Sequence, residues 1–567
     1  MVCSQTGRLN RVGAASDIAA QLPPPVRALA ERARRRGDVQ VRETHASWVV
    51  LAGDRAWKVK KPLAFAFLDQ STPQRRRAAC EAELELNRPL APDLYLAVRG
   101  LAPAASGRGE EAARGDGPLG GVRLVDADDP AAVEYAVEMR RFDERATLAG
   151  LVARDALEPR HLRAVAERLA AFHAQAPIAP PADAPRAPAA AAAAALERLD
   201  RNGEELIALL DDDDGGARAA ALAQLRCAGA FAVGAAAQLA ARAAAGRIRE
   251  LHGDLRAEHV LPGPPVRLVD RLEFNRAWRE VDSADELAFL AMDLTALGRA
   301  DAAAALLDAY RAAGGDAGDD RLVAFHAIYR AHVRAKVALL RAAQEREAGE
   351  AAAAAGEQAA AGRLLAVGER FAWRLRLPPT VVVCGPSASG KSVLAAELGR
   401  RSGRPVISSD RVRKRLAGVA ATARAGAEAY AAEMSARTYA ALGRAAAAAG
   451  PEGAIVDATF RRRADRDAFA RALADADAAP PAARDAAPAP APLYVELTAP
   501  AAVLRERARR RLADAERVSD GTPELALAQL AAFEPLTEVA PARHLLLRAD
   551  RPPAAVAAAL AAALDGP

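Results

Sequence analysis

From Val39 onward the chain alternates apolar and polar positions. The segment VQVRETHASWVVLAGDRAWKVKK predicts two strands that meet at Gly53-Asp54, a pair suited to a hairpin turn. In the second arm the period of two puts Ala56 and Lys58 on one face and Trp57 and Val59 on the other, with Lys60 sharing the lysine face. A helical stretch follows over Gln74–Leu90. Strand character returns over Val122–Arg140, and Glu158–Ala174 reads as an amphipathic helix. Asp282–Leu294 predicts a core helix whose Asp282 and Asp285 suit its start, and Arg321–Leu340 predicts a long amphipathic one. In the last third, short apolar runs at Val381, Pro405–Asp410, Ala454–Phe460 and Leu493–Leu497 alternate with helical patterns. This is the signature of buried parallel strands with crossover helices.

Several tracts carry no such period. Residues 1–20 are expected to be a flexible tail and residues 102–120 a Gly/Ala/Arg-rich loop. Pro177–Ala195 and residues 475–492 are Ala/Pro-rich, read as a loosely helical insertion and as low complexity. Ala342–Gly362, rich in Ala, Glu and Gly, suits a connector. These breaks predict a domain at 21–345, a helical linker at 346–374 and a second domain at 375–567.

Composition narrows the picture. At 567 residues the chain exceeds one ordinary core. Apolar residues make up 51% of it but aromatics only 4%, so the cores must be built from Ala, Leu and Val. A net charge of +5 drawn from 78 basic and 73 acidic residues describes a mixed surface; no basic stripe interleaved with aromatics marks a nucleic-acid partner. The 4 cysteines are scattered without C-x-x-C spacing, so neither a disulfide framework nor a zinc site is signalled. No long uncharged apolar run and no signal-type leader is seen, so a cytoplasmic protein without a membrane partner is expected; its oligomeric state is not readable.

The sharpest chemistry lies at VVVCGPSASGKS, Val381–Ser392, where a strand runs into G-x-x-x-x-G-K-[ST]. Gly385, Pro386, Ser387, Ala388, Ser389 and Gly390 form the phosphate-cradling loop. Lys391 brings positive charge to the terminal phosphates, and the Ser392 hydroxyl suits Mg²⁺. The helix that follows, Val393–Arg401, points its N-terminal dipole at the same place. Asp410 with Arg413 at the end of the next strand suits the phosphoryl acceptor, and Asp457 at the end of the third suits the metal. Arg461, Arg462, Arg463 and Arg466 divide between a phosphate-handling surface and a solvated helix face. The run Arg505, Arg507, Arg509, Arg510 and Arg511 divides between a lid and a basic solvated helix. The order of these elements resembles the AAA-type small-kinase group near gluconate and polynucleotide kinases.

A second constellation lies in LHGDLRAEHVLPGPPVRLVDRLEFN, Leu251–Asn275. Asp254 and Asp270, on loops flanking a small hairpin, are a pair that phosphoryl transfer uses: one acid for the acceptor hydroxyl, one for Mg²⁺. H-G-D-L followed by V-D-x-x-E-F-N is similar to the aminoglycoside phosphotransferase family, whose fold is protein-kinase-like. The resemblance implies that Asp254 is the catalytic base and Asp270 a metal ligand. The family's H-G-D-L-H-x-x-N is changed here to Arg256 and His259, which leaves His259 as the candidate second metal ligand. It also implies that a strand lysine, Lys58 or its rival Lys60, pairs with Glu81 or Glu83; Lys58 and Glu83 are carried forward as the nucleotide-binding pair.

Together the two resemblances imply a fusion of mixed α/β and α+β class, with a bilobal kinase-like part followed by a P-loop domain whose parallel sheet is flanked by helices. The expected activity is phosphotransfer from ATP·Mg²⁺ at two nucleotide sites to small hydroxylated acceptors of unidentified structure. The alternatives are a first part that only binds or regulates, or a P-loop part that phosphorylates nucleic-acid ends.

Overall fold

The alternating segment forms strands β1 (Val39–Glu43), β2 (Ser47–Ala52) and β3 (Arg55–Lys60) in the computed structural model, which describes residues 22–44, 46–65, 68–104, 121–179, 188–211, 216–423, 425–450, 453–477, 491–512 and 521–565. The expected tail at 1–20 lies outside the described residues, as do residues 105–120, 180–187 and 478–490 of the three low-complexity tracts. Gly53 makes the β2–β3 turn at φ +54, where a Cβ would meet the Arg36 carbonyl oxygen at 2.8 Å. Three further strands, β4 (Tyr95–Pro103), β5 (Val122–Asp126) and β6 (Glu134–Arg140), complete a six-stranded antiparallel sheet in the order β1-β2-β3-β6-β4-β5.

The period-two reading of β3 holds. Trp57 and Val59 pack with Val26 and Leu29 of helix α1 (Pro24–Ala33), while Ala56 packs on the opposite face with Cys80 of helix α2 (Pro73–Asn87). Helix α2 begins on a Thr72 cap whose side chain accepts the Arg75 amide proton, with Pro73 at its first position. Below the sheet a short hairpin pairs Val260–Leu261 with Arg267–Leu268, and Ile248–Glu250 pairs with Glu280–Asp282. Two helices support them: α3 (Ser283–Ala296), capped by the Asp282 side chain, and α4 (Asp320–Glu347). The tract at Ala342–Gly362 gives way to a continuous helix, α5 (Ala351–Arg376); its many alanines favour that state without announcing it in the hydrophobic period.

The last third is a five-stranded parallel sheet of β7 (Thr380–Cys384), β8 (Val406–Ser408), β9 (Ala454–Asp457), β10 (Leu493–Thr498) and β11 (His544–Arg548), in the order β8-β9-β7-β10-β11. β7 is central and buried throughout. Val381 and Val383 face one apolar cluster and Val382 and Cys384 another, which is why its sequence is apolar without alternation.

By contacts the chain divides into two compact units: residues up to Ala217 with Gly234–Val367, and Arg218–Val233 with Gly368–Pro567. The second unit thus includes all but the end residues of the helix Ala217–Gly234, although along the chain this helix lies between helices of the first. Within the second unit the Cys227 thiol points at the Ala372 carbonyl (3.7 Å), and Arg376 donates to the Ala223 carbonyl (2.9 Å). No single helix among the described residues is long and apolar enough to cross a membrane.

Candidate functional site

In the first unit, Lys58 projects from β3 into a cluster of buried ions. Its ammonium lies 2.9 Å from Glu83 on α2 and 2.8 Å from Asp270. Lys60, two residues along the same face, lies 2.5 Å from the other Glu83 oxygen and also pairs with Glu273. Glu83, rather than the surface residue Glu81, is therefore the carboxylate both lysines share; Glu81 pairs with Arg77 instead. Burial opposes charge on Lys58, but Asp270, Glu83 and Glu273 outweigh it and hold its pKa well above the ordinary lysine value. Burial would likewise raise Glu83 and Asp270. Lys58 reverses this in both cases, helped by Lys60, and both carboxyls end below their ordinary range. Asp270 sits at φ +64, and its amide donates to the Tyr95 hydroxyl (3.0 Å), which fixes the turn that aims the carboxylate at Lys58.

The His252–Asp254 loop is fastened from three sides. His252 is fully buried, and burial pushes its pKa down to about 4; its Nε2 donates to the Val269 carbonyl (2.9 Å), tying the loop to the strand before Asp270. The Gly253 amide donates to Glu286 (2.8 Å), and Arg330, itself held by Asp285 (2.7 Å), donates to the Gly253 carbonyl (3.3 Å). Gly253 takes φ +84, with the Trp278 carbonyl 3.0 Å from where a Cβ would stand.

The candidate base and second metal ligand have internal partners. Arg256, only 1% exposed, contacts both Asp254 oxygens at 3.2 Å, pairs with Glu258, and places its Nη2 2.9 Å from His259 Nε2. His259 Nδ1 lies 2.7 Å from the Asp254 carbonyl oxygen, and its Nε2 lies 3.6 Å from Asp270. A cavity of about 900 Å³, large enough for a nucleotide, opens between sheet and loops. Val49, Ala56, Lys58 and Met139 line it from the sheet, Phe142 just after it, and His259 and Asp270 from below. Asp254 is not part of that lining. It lines an adjoining void of about 20 Å³, room for roughly one water, which shares Thr44, Lys58 and Asp270 with the larger cavity.

In the second unit, β7 ends at Gly385. There φ is +132, and a Cβ would stand 2.3 Å from the Leu497 carbonyl oxygen of β10, so glycine is required. The loop Gly385–Gly390 then turns into helix α6 (Lys391–Ser402), with Ala388 at φ +63 and Gly390 at φ +100. Lys391 folds back to donate to the Pro386 carbonyl (2.7 Å), and burial lowers its pKa although Asp457 and Asp410 pull the other way. Asp457, at the end of β9, is 6% exposed. Burial raises its pKa despite Lys391 and a hydrogen bond from Ser392. Asp410 opens helix α7 (Ser409–Leu416) within electrostatic reach of both. Arg413, on the same helix, is turned to local duty: it donates to the Ala429 carbonyl (2.7 Å) and Ser435 (3.3 Å) and stacks on Tyr430.

Two arginine runs resolve by burial. Arg466 is 2% exposed and binds the Phe460 and Pro535 carbonyls and Glu538, so it holds the fold together, while Arg462 and Arg463 face solvent. On helix α8 (Ala501–Leu512), Arg507 and Arg511 share the inward face. Arg507 reaches within 3.7 Å of a Cβ position on Gly390, and Arg511 acts electrostatically on Lys391 and Asp457. Arg505, Arg509 and Arg510 are exposed. Gln529, on helix α9 (Pro523–Ala531), had no mark in the sequence; its side-chain oxygen accepts the Ser387 amide proton at 2.8 Å.

The residues present can be tested against Mg²⁺. Ser392 bonded to a buried Asp457 whose pKa is raised is a donor pair short of a cation, and Mg²⁺ needs only one or two protein oxygens beside phosphates and water. This pair fits. In the first unit Asp270 fits as a single carboxylate ligand, whereas both nitrogens of His259 are engaged.

Residues 381–536 match the model of a family described as an AAA domain. Over 381 residues the chain is 33% identical to an uncharacterized protein of Mycobacterium tuberculosis strain H37Rv, covering 67% of this chain and 68% of the relative, and an uncharacterized protein of Mycobacterium bovis matches equally. Among solved structures, a gluconokinase from Sinorhizobium meliloti is 22% identical with a TM-score of 0.23, covering 33% of this chain and 93% of its own. The GDP complex of an aminoglycoside 2′-phosphotransferase is 13% identical with a TM-score of 0.31, covering 57% and 92% respectively.

Proposed function

The chain belongs to the same family as these mycobacterial proteins, and from that footing we propose an ATP-dependent phosphotransferase with two nucleotide sites that serves small hydroxylated acceptors. The reading rests on the convergence of Lys391, Ser392, Asp457 and Asp410 at the carboxyl ends of the parallel strands. The Gly385–Ser392 loop orients the triphosphate, with Lys391 released from Pro386 to the terminal phosphates and Arg507 and Arg511 approaching from α8. Magnesium, held by Ser392 and Asp457, would neutralise phosphate charge when bound. The acceptor oxygen bonds to the γ-phosphorus as the bond to the bridging oxygen breaks, and ADP leaves with that electron pair. Asp410 takes the acceptor proton.

The test is an acceptor screen on the full-length protein with sugars, sugar acids, aminoglycosides and a 5′-hydroxyl oligonucleotide, read as the mass gain of one phosphoryl group. At least one small acceptor is expected to gain it, and Asp410→Asn to abolish the gain. Transfer to the oligonucleotide alone would refute the small-acceptor reading.

A second reading concerns the first unit: it holds a nucleotide without transferring its phosphoryl group. The observation in its favour is that Asp254 is buried and bonded through both carboxylate oxygens to Arg256, and it does not line the nucleotide-sized cavity.

A further inference from the structure

The first unit gathers acids on one side of its cleft, Asp254, Glu258 and, behind them, Asp293, whose carboxylate caps the Ala257 amide at 2.8 Å. Such a group ordinarily invites a divalent cation. Here a guanidinium already stands among them. Arg256 contacts both oxygens of Asp254 and pairs with Glu258, and its charge cannot be titrated away or dissociate. A second guanidinium, Arg334, acts on Asp254, Glu258 and Asp293 from α4.

The imidazole of His259 tells the same story. The Asp254 carbonyl oxygen can only accept, so His259 Nδ1 carries the proton and the lone pair lies on Nε2. Arg256 Nη2 donates to that lone pair at 2.9 Å. A metal at His259 would have to displace the buried Arg256 guanidinium from the Nε2 lone pair and compete with it for Asp254.

Resting on the reading that the first unit is a nucleotide site, we propose that Arg256 is a resident cation standing in for a divalent ion beside Asp254 and His259. The cleft therefore takes the polyphosphate of a nucleotide with at most one metal ion, at Asp270, and binds it in the absence of metal. Lys58 and the Arg256-backed His259 then face the phosphates from the cavity wall.

The test uses the full-length chain carrying Lys391→Ala, which silences the P-loop, titrated with a fluorescent N-methylanthraniloyl ATP in EDTA and in excess magnesium. One saturable site is expected, with dissociation constants in the two conditions within about threefold of each other. Adding Arg256→His should weaken binding in EDTA by about tenfold or more, with magnesium restoring it. Arg256→Lys, which keeps the charge, should stay magnesium-independent, and circular dichroism of each variant separates misfolding from loss of the cation. Binding by the Lys391→Ala protein that requires magnesium would overturn the proposal and leave the nucleotide site standing. No binding in either condition would remove the site itself. Should Arg256→His misfold, the metal dependence with Arg256 intact, together with Arg256→Lys, still decides.

Discussion

Lys58 in the first unit and Lys391 in the second are both buried lysines, yet burial leaves them in opposite electrostatic condition. Lys58 is surrounded by Glu83, Asp270 and Glu273, and its pKa rises while those of Glu83 and Asp270 fall. Among the described residues Lys391 donates to a carbonyl rather than a carboxylate, its pKa falls, and that of its neighbour Asp457 rises. The first cleft has satisfied its charges from within. The second holds a lysine and a carboxylate whose charged forms burial penalises, a condition that, on the proposed function, a phosphate and a metal would relieve. Fold resemblance alone does not reveal this difference; the ion pairs do.

The contrast is broken most directly by Lys391→Ala. Turnover of the full-length protein is expected to fall by about 10²–10³-fold, the scale of losing one positioned charge from a phosphoryl-transfer site, as measured by coupled ADP release. A loss under about threefold would mean that the second unit is not the seat of turnover.

A smaller effect, but one of opposite sign in the two clefts, is expected in stability. Glu83→Gln removes the partner of two buried lysines and should destabilise the first unit by about 3 kcal/mol in urea unfolding. Asp457→Asn replaces a carboxylate that burial penalises and should be neutral or stabilising by up to about 1 kcal/mol in nucleotide-free protein. Equal destabilisation by both would erase the distinction.

The pH dependence sharpens it further. Asp457 has a raised pKa, so it protonates above the usual carboxylate range and magnesium–nucleotide affinity at the P-loop should decline on that acid side. Lys391 has a lowered pKa, so affinity should also decline on the alkaline side before the ordinary lysine range is reached; fluorescence titration across pH reads both limbs. In the first unit the signs differ. Glu83 and Asp270 are depressed, so the stability they contribute is fully present above about pH 4 and is lost only as pH falls through their lowered folded values. Acid unfolding followed by tryptophan fluorescence should show Trp57 holding its native signal to below that pH.

What the sequence disclosed tracks what periodicity can carry. The alternation of β3 put Lys58 on the face of Ala56, which packs against α2, and the apolar run into Gly385 marked the end of a buried strand; both agree with the structure. Choosing Glu83 over Glu81 needed the rotation of a helix with few apolar positions, which spacing alone leaves open. Arg256 stood in view as a departure from a motif, but its bond to His259 depends on how two side chains turn within one short loop. Gln529 was silent because its partner, the Ser387 amide, is brought near only by the tertiary fold. The split of the α8 arginines into inward Arg507 and Arg511 and outward Arg505, Arg509 and Arg510 follows helical spacing, yet which face turns inward is decided by packing.

The helix Ala217–Gly234 imposes an order of events on biosynthesis. It leaves the ribosome well before Ala372 and Arg376, the residues that receive it, so its apolar side must wait, uncovered, while the remainder of the first unit is translated. A nascent chain stalled in that interval carries an adhesive segment, one that a holding chaperone would recognise and that release of the finished polypeptide would hide.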